Sequence, residues 1–436
     1  MPNILKKLII RNPFNVKILV EFFWVLVGNI ANIIGIMAVI KIMSYFLTPS
    51  EYGLYYLGIT VSVFASQIFF GPFGNGFTRY FLVSENNNDF NSFLSSSFTL
   101  LLKLTKLILF TAILFFIILY FFYGIGNFLY FISLIIIAIF TGYTSIIYSY
   151  FHITRQRRVI AIYQIIDAVI KISFVYISLL YFAKKTENVL VSIAIGSLII
   201  FLHQSYYLIK KQKFNINIVA KSDINWSQKI FQFSYPFAIW GVFGWLQISS
   251  DRWFLGFYKS SSEVAKYAII FQLGYYPPSI IIGNIVQTIT PLLYHKAGDG
   301  NNHILLAEST NVTRKITLLS ILITIIGFFI AMFFSSFFLK LLSNPRYVEL
   351  SYLFPYMVIS GGIFATAQIL SIDFQSRMKI RQLLYIKIVT SIFGIILSGV
   401  AIYYFGLIGS VISSVGFSLS YLFAIIYFSK WLRIKV

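Results

Sequence analysis

Apolar residues fill the chain in long unbroken stretches, near 22–46, 54–82, 97–121, 127–150, 160–182, 189–209, 231–257, 265–294, 316–339, 350–374, 383–404 and 407–429, with polar gaps between them. These stretches approach or exceed the about 20 residues that an α-helix needs to cross hydrocarbon. They are apolar on every side, whereas a membrane β-barrel alternates apolar and polar positions over about ten residues. In lipid the backbone must satisfy its own hydrogen bonds, which leaves helices. The pattern predicts an all-α polytopic membrane protein with about twelve transmembrane helices.

Composition removes the soluble alternatives. Hydrophobic residues make up 58% of the 436 positions and charged residues only 11%, too little polar surface to dissolve a globular body of this size. The formal net charge is +21, but it is spread over loops beside apolar runs, where anionic lipid attracts it, and no docking motif for nucleic acid accompanies it. The chain has no cysteine, which excludes disulfides and thiolate chemistry. The first apolar run exceeds a signal peptide's core and lacks a small-residue cleavage pattern, so the N-terminus is expected to stay on the protein.

Lys and Arg gather in the two tails and in every second gap, as in Arg155 to Arg158 and Lys210 to Lys229, and are scarcer in the gaps between. Under the positive-inside rule both termini and the basic loops face the cytoplasm, in a bacterial inner membrane.

An internal repeat divides the twelve stretches into two sets of six. At an offset of 212, Ser50 and Glu51 meet Ser262 and Glu263, Gly71 meets Gly283, and Lys103 and Thr105 meet Lys315 and Thr317. At an offset of 223, Phe151 meets Phe374 and Arg158 meets Arg381. The eleven-residue change falls in a longer surface gap near Ser343 to Leu350. The predicted organisation is an N-lobe over 1–209, a cytoplasmic linker over 210–232 and a C-lobe over 233–436. The first and seventh spans run the same way, so the lobes are expected to be pseudo-symmetric about an axis along the membrane normal, a common transporter design with the substrate route between repeats. Duplication without transport is the bland alternative.

Ionisable groups among lipid tails are costly and should face a cavity, a partner or the interface. Lys41, Arg79, Lys103, Lys106 and Lys387 fall inside predicted spans, and together they would line a cationic cavity suited to pyrophosphate or an acidic sugar. Arg79, Lys103 and Lys387 are close enough to helix ends to snorkel instead; Lys41 and Lys106 are less readily placed at an interface. Asp167 and Lys171, four residues apart, can pair along one helical face, as a buried neutral pair or as an ion-coupling carboxylate with its partner. Asp251 and Arg252 are adjacent, point in different directions and are placed as a gate or interface pair.

Neither a catalytic constellation nor a cofactor motif emerges. His152, His203, His295 and His303 are too scattered for a metal site, and no Gly-rich loop ending in Gly-Lys-Ser or Gly-Lys-Thr is present. Pro72, Pro277, Pro278 and Pro291 interrupt the second and eighth spans, where bends or binding sites are expected.

The run from Tyr45 through Thr48-Pro49-Ser50-Glu51-Tyr52-Gly53 to Tyr56, then Gly71-Pro72-Phe73-Gly74 to Phe81, resembles the first two helices of the polysaccharide transporter family, the Wzx-type flippases. Asp251 to Gly256, Ser262 to Tyr267 and Thr290-Pro291 to Tyr294 match the pattern of that family's second half, with Ala265-Lys266 departing where Gly is usual. The resemblance implies the V-shaped multidrug, oligosaccharidyl-lipid and polysaccharide exporter fold, without cofactor or enzymatic activity. It implies flipping of undecaprenyl-pyrophosphate-linked repeat units of O-antigen, lipopolysaccharide, capsule or exopolysaccharide to the periplasmic leaflet, driven by ion antiport. Membrane lipids, a polysaccharide polymerase and a chain-length regulator are the partners it suggests.

Two other readings compete. A multidrug exporter of the same fold would call for cavity acids to hold organic cations, and a membrane polymerase or ligase would need a polar catalytic loop outside, which the short odd-numbered gaps do not provide.

Overall fold

A computed structural model describes residues 13–123, 127–211, 224–283, 285, 303–377 and 379–434, which are helical almost throughout and contain no β-strand. The helices are α1 (Pro13–Phe46), α2 (Pro49–Ala65), α3 (Gly71–Asn86), α4 (Phe90–Tyr123), α5 (Phe128–Ile153), α6 (Arg157–Tyr181) and α7 (Thr186–Lys211). There follow α8 (Ile224–Tyr258), α9 (Ser261–Ile270), α10 (His303–Leu342), α11 (Phe354–Ser376) and α12 (Ile380–Ile434), with a 3-10 turn at Pro345–Tyr352.

Among the described residues nine stretches are long and apolar enough to cross a membrane. They account for ten of the predicted spans, because Arg381–Ser429 covers the last two. These two separate at Gly406, whose φ of 56° lies in the left-handed region that glycine adopts freely. The arms of α12 then run antiparallel, bringing Phe417 against Gly394 and Leu397 against Gly416. The seventh span is α8, whose Gln, Ser, Tyr and Trp residues lower its hydropathy, and the eighth runs partly outside the described residues. Helix α8 already begins at Ile224, inside the stretch read as a linker, whose residues 212–223 lie outside the described set.

Two helices matched by the repeat begin and bend alike. Thr48 Oγ1 accepts from the Glu51 N–H at 3.3 Å, and Ser260 Oγ accepts from the Glu263 N–H at 3.4 Å. Each start has the Ser/Thr-x-x-Glu spacing of a capping box. Each helix then widens into a π turn, at Ser66–Phe70 and at Phe271–Tyr275. The closing bonds run from the Gly71 N–H to the Ser66 carbonyl and from the Tyr276 N–H to the Phe271 carbonyl. The next residue is Pro72 in one case and Pro277 in the other, so each turn ends where the chain loses an N–H. A proline inside a regular helix clashes with the carbonyl four residues back, and the wider turn accommodates it. Pro291 lies outside the described residues.

The chain forms two compact units. Of the described residues, the first contains those up to Val39 and those within Val61–Ile239; the second contains Ile40–Thr60 and those from Trp240 onward. Residues 40–60 thus belong with the second unit, and the division falls inside α1, α2 and α8.

In the first unit, Phe73, Phe77, Phe81, Phe93, Trp226 and Ile230 form an aromatic core. The Trp226 indole N–H donates to Asp89 at 2.5 Å, which fixes the start of α8 on the corner between α3 and α4. In the second unit, Phe374, Leu383, Ile386, Phe417 and Tyr421 are buried together. The Arg346 guanidinium caps the end of α1 by donating to the Ser44 carbonyl and, at 2.7 Å, to the Leu47 carbonyl. Lipid competes with apolar side chains for apolar surface, so close fit and internal hydrogen bonds must hold such helices together.

Candidate functional site

The densest buried chemistry lies in the second unit, around Asp251 of α8. Its side chain is enclosed at 5% exposure, and three hydroxyls converge on the carboxylate. Ser398 and Ser413, on opposite arms of α12, donate to Oδ1 at 2.5 and 2.7 Å, and Tyr267 of α9 donates to Oδ2 at 2.7 Å. A buried carboxylate requires such donors, and each charge-assisted bond is stronger than a neutral one. One acid thereby joins α8, α9 and both arms of α12.

Arg252, also 5% exposed, stacks its guanidinium 4.6 Å from the Phe271 ring centroid and donates to the Ile248 carbonyl at 3.3 Å. Its Nε has no hydrogen-bond partner among the described residues. Phe271 belongs to the π turn, so the widened backbone that precedes Pro277 also supplies this cation's aromatic surface.

A cavity of about 20 Å³ adjoins the acid, lined by Gln247, Asp251, Tyr275, Ser413, Ser414 and Phe417 among others. That is room for a water or an ion of similar size. Gln247 stands one helical turn before Asp251 on the same face of α8, and its amide oxygen accepts from the Lys387 ammonium. Lys387 is 2% exposed. Its nitrogen lies 5.8, 5.4, 5.6 and 5.1 Å from the ring centroids of Trp240, Phe364, Phe417 and Tyr421. Ser414, which lines the cavity, shares Ser360 with Ser418, at 3.0 Å each. An acid, a cation and a chain of hydroxyls thus share one small polar interior.

The other residues singled out in the sequence lie elsewhere. Lys41, in the second unit, and Arg79, Lys103 and Lys106, in the first, are exposed, and among the described residues none of them makes an ion pair. Asp167 and Lys171 pair at 2.7 Å along α6, as their spacing predicts, with side chains 23% and 33% exposed. Asp251 and Arg252, expected as a gate or interface pair, are both interior and turn to different partners, the acid to hydroxyls and the guanidinium to the Phe271 ring. Lys387 does not snorkel to a helix end, because aromatic rings hold its ammonium in the interior.

Among the described residues no three His, Cys, Asp or Glu side chains are grouped as a metal site, and His295 lies outside them. Gln247, Tyr267, Ser398 and Ser413 carry no charge of their own, and the sequence does not single them out as partners of the two buried charges. One signal was present, the serine-rich stretch Ser410, Ser413, Ser414, Ser418 and Ser420 in a span whose other residues there are apolar or glycine, with Ser410, Ser414 and Ser418 at helical spacing.

A family model described as polysaccharide biosynthesis protein matches residues 18–296. Among solved structures, an inward-facing multidrug resistance MATE family transporter of the MOP superfamily is 13% identical, with a TM-score of 0.69 over 94% of each chain. The lipid II flippase MurJ, in an inward closed conformation, is 15% identical, with a TM-score of 0.68 over 95% of this chain and 87% of its own. A MOP superfamily transporter from Pyrococcus furiosus is 12% identical, with a TM-score of 0.63 over 96% and 95% of the two chains. A comparison with curated protein sequences found no match. At such identities these structures share the fold alone, whereas the family model spans more than half of the chain. The chain is therefore a multi-pass membrane protein with the MOP transporter fold that belongs to the polysaccharide biosynthesis protein family.

Proposed function

We propose that the protein is a flippase, not an enzyme, and that it moves an undecaprenyl-pyrophosphate-linked oligosaccharide repeat unit from the cytoplasmic to the periplasmic leaflet of a bacterial inner membrane. The two lobes, 1–209 and 233–436, joined through 210–232, move the substrate by alternating access. Both termini face the cytoplasm, and a polysaccharide polymerase and a chain-length regulator use the product.

One observation carries this reading: among the described residues of the predicted spans, the balance of unpaired charge is positive. Lys41, Arg79, Lys103 and Lys106 are exposed without ion pairs among the described residues. The acids inside the predicted spans, among the described residues, are already engaged. Asp167 pairs with Lys171, Asp251 holds three hydroxyls, and Asp373 binds Arg377 at 3.2 Å and Thr310 at 2.8 Å. Free cations suit a pyrophosphate or acidic sugar. An exporter of organic cations would need the opposite balance.

Transport against a gradient needs a group whose occupancy changes with the transported ion, and Asp251 beside its cavity suits that role better than Asp167. Its hydroxyl partners join three helical elements, so releasing them to take a proton or a sodium ion would alter the packing of the whole second unit. Asp167 is held by one neighbour on its own helix and transmits less.

The test is complementation. In a strain lacking its own flippase, the chain should restore surface glycan and clear lipid-linked repeat units from the inner leaflet. Normal membrane abundance with undiminished accumulation of a matched lipid-linked repeat unit would refute the reading.

A further inference from the structure

The rings of Trp240, Phe364, Phe417 and Tyr421, with the Gln247 amide oxygen, form a receptor for a primary ammonium. Rings at 5.1 to 5.8 Å on several sides present their negative faces, and one amide oxygen takes a proton of the guest. Proteins use such aromatic cages to bind cationic ligands from solution. Here the guest is covalently attached, because it is the chain's own Lys387. No carboxylate among the described residues pairs with it, so the cage alone stabilises its charge. The cage is also continuous with the cavity beside Asp251, since Gln247 and Phe417 line both.

We propose that this cage is an alkylammonium-binding site that Lys387 keeps filled, and that the tethered cation sets the transporter's selectivity by excluding free organic cations from the polar interior of the second unit. The transport part of the inference rests on the flippase reading; the binding part does not. The contrast is with an open cage, which next to a buried acid would offer organic cations both an aromatic surface and a counter-charge. A lysine in that place makes the same scaffold unreceptive to them.

Lys387→Ala should open the cage, and n-propylammonium should then take the place of the missing side chain, as small ligands occupy cavities left by truncation. The measurement is thermal unfolding of the purified full chain in detergent. The variant should melt several degrees below wild type, and millimolar n-propylammonium should restore at least half of that loss with a saturable dose response. n-Propanol, of similar size but neutral, should not restore it, and wild type should respond to neither. Equal rescue by propanol, no rescue at all, or an equal response from wild type overturns the site.

Lys387→Met keeps the volume and removes the charge, and serves if the alanine variant does not accumulate. It should accumulate in the membrane and, without the tethered charge, let an organic cation such as ethidium cross several-fold faster than wild type. A methionine variant that excludes ethidium as wild type does shows that the ammonium is inert and overturns the proposal. The outcomes separate: propylammonium rescue in a chain whose wild type exports no glycan defeats the flippase reading alone, whereas wild-type export without rescue defeats the cage alone.

Discussion

The Tyr267 hydroxyl donates a 2.7 Å hydrogen bond to the Asp251 carboxylate, sixteen residues earlier and on a different helix. Both residues are fully enclosed, and Ser398 and Ser413 complete the carboxylate's shell from a third helical element. Removing the acid strands several donors at once. Asp251→Ala should lower stability by about 3 kcal/mol, the scale of stranding buried groups that bonded a charge, visible as reduced membrane abundance and a lower melting temperature. Asp251→Asn keeps one acceptor oxygen and the shape, and should cost about 1 kcal/mol while reducing export at least ten-fold. Full export by the asparagine variant would remove Asp251 from ion coupling and leave it a structural role.

Gly361 of α11 approaches the π turn so closely that a Cβ built there would lie 2.1 Å from the Tyr275 carbonyl oxygen. Ser279 fastens the same junction by donating to the Tyr275 and Gly361 carbonyls at 2.9 and 3.1 Å. Gly361→Ala must separate two backbones and should cost about 2 kcal/mol, within the range for overpacking. Gly283→Ala is the internal control, because among the described residues nothing lies within 4 Å of its added methyl group. Thermal unfolding in detergent should show a drop of several degrees for the first variant and none for the second.

Long apolar runs made the spans readable, because crossing hydrocarbon leaves the sequence little freedom. Helix ends were less so: α2 begins at Pro49, five residues ahead of the apolar run, since Thr48 and Glu51 build its cap from residues that hydropathy discounts. The Asp167–Lys171 pair was legible because both partners lie on one helix at a fixed spacing. Asp251 was legible only as an acid in a span. Its partners Ser398 and Ser413 lie 147 and 162 positions away, and nothing local marks one serine among many as facing a carboxylate. Lys387 stands out in the sequence for its charge, and its proximity to a helix end points to snorkelling; four aromatic rings from three helices decide otherwise.

Topology can be tested directly, since the chain has no cysteine and each introduced thiol reports alone. Lys185 and Glu349 are exposed between helices in gaps expected outside, and Asn87 and Arg155 in gaps expected inside. In intact cells a membrane-impermeant maleimide should label Lys185→Cys and Glu349→Cys, and should reach Asn87→Cys and Arg155→Cys only after permeabilisation. The reverse pattern would invert the orientation and with it the cytoplasmic placement of both termini.

Lys41 and Lys106 test the cationic route itself. Both are exposed and make no ion pair among the described residues, so alanine there should change stability by no more than about 0.5 kcal/mol, as for surface substitutions elsewhere. If they meet the anionic headgroup, each alanine variant should export at least five-fold less glycan per unit of protein in the membrane, and the double variant less still. Arginine keeps the charge but spreads it over a planar fork, so Lys41→Arg and Lys106→Arg should fall between wild type and alanine. The decisive comparison is surface glycan normalised to membrane abundance. Lysines that merely reach toward lipid headgroups would leave that ratio unchanged in all these variants, and the positive charge balance would then have to act through Arg79 and Lys103.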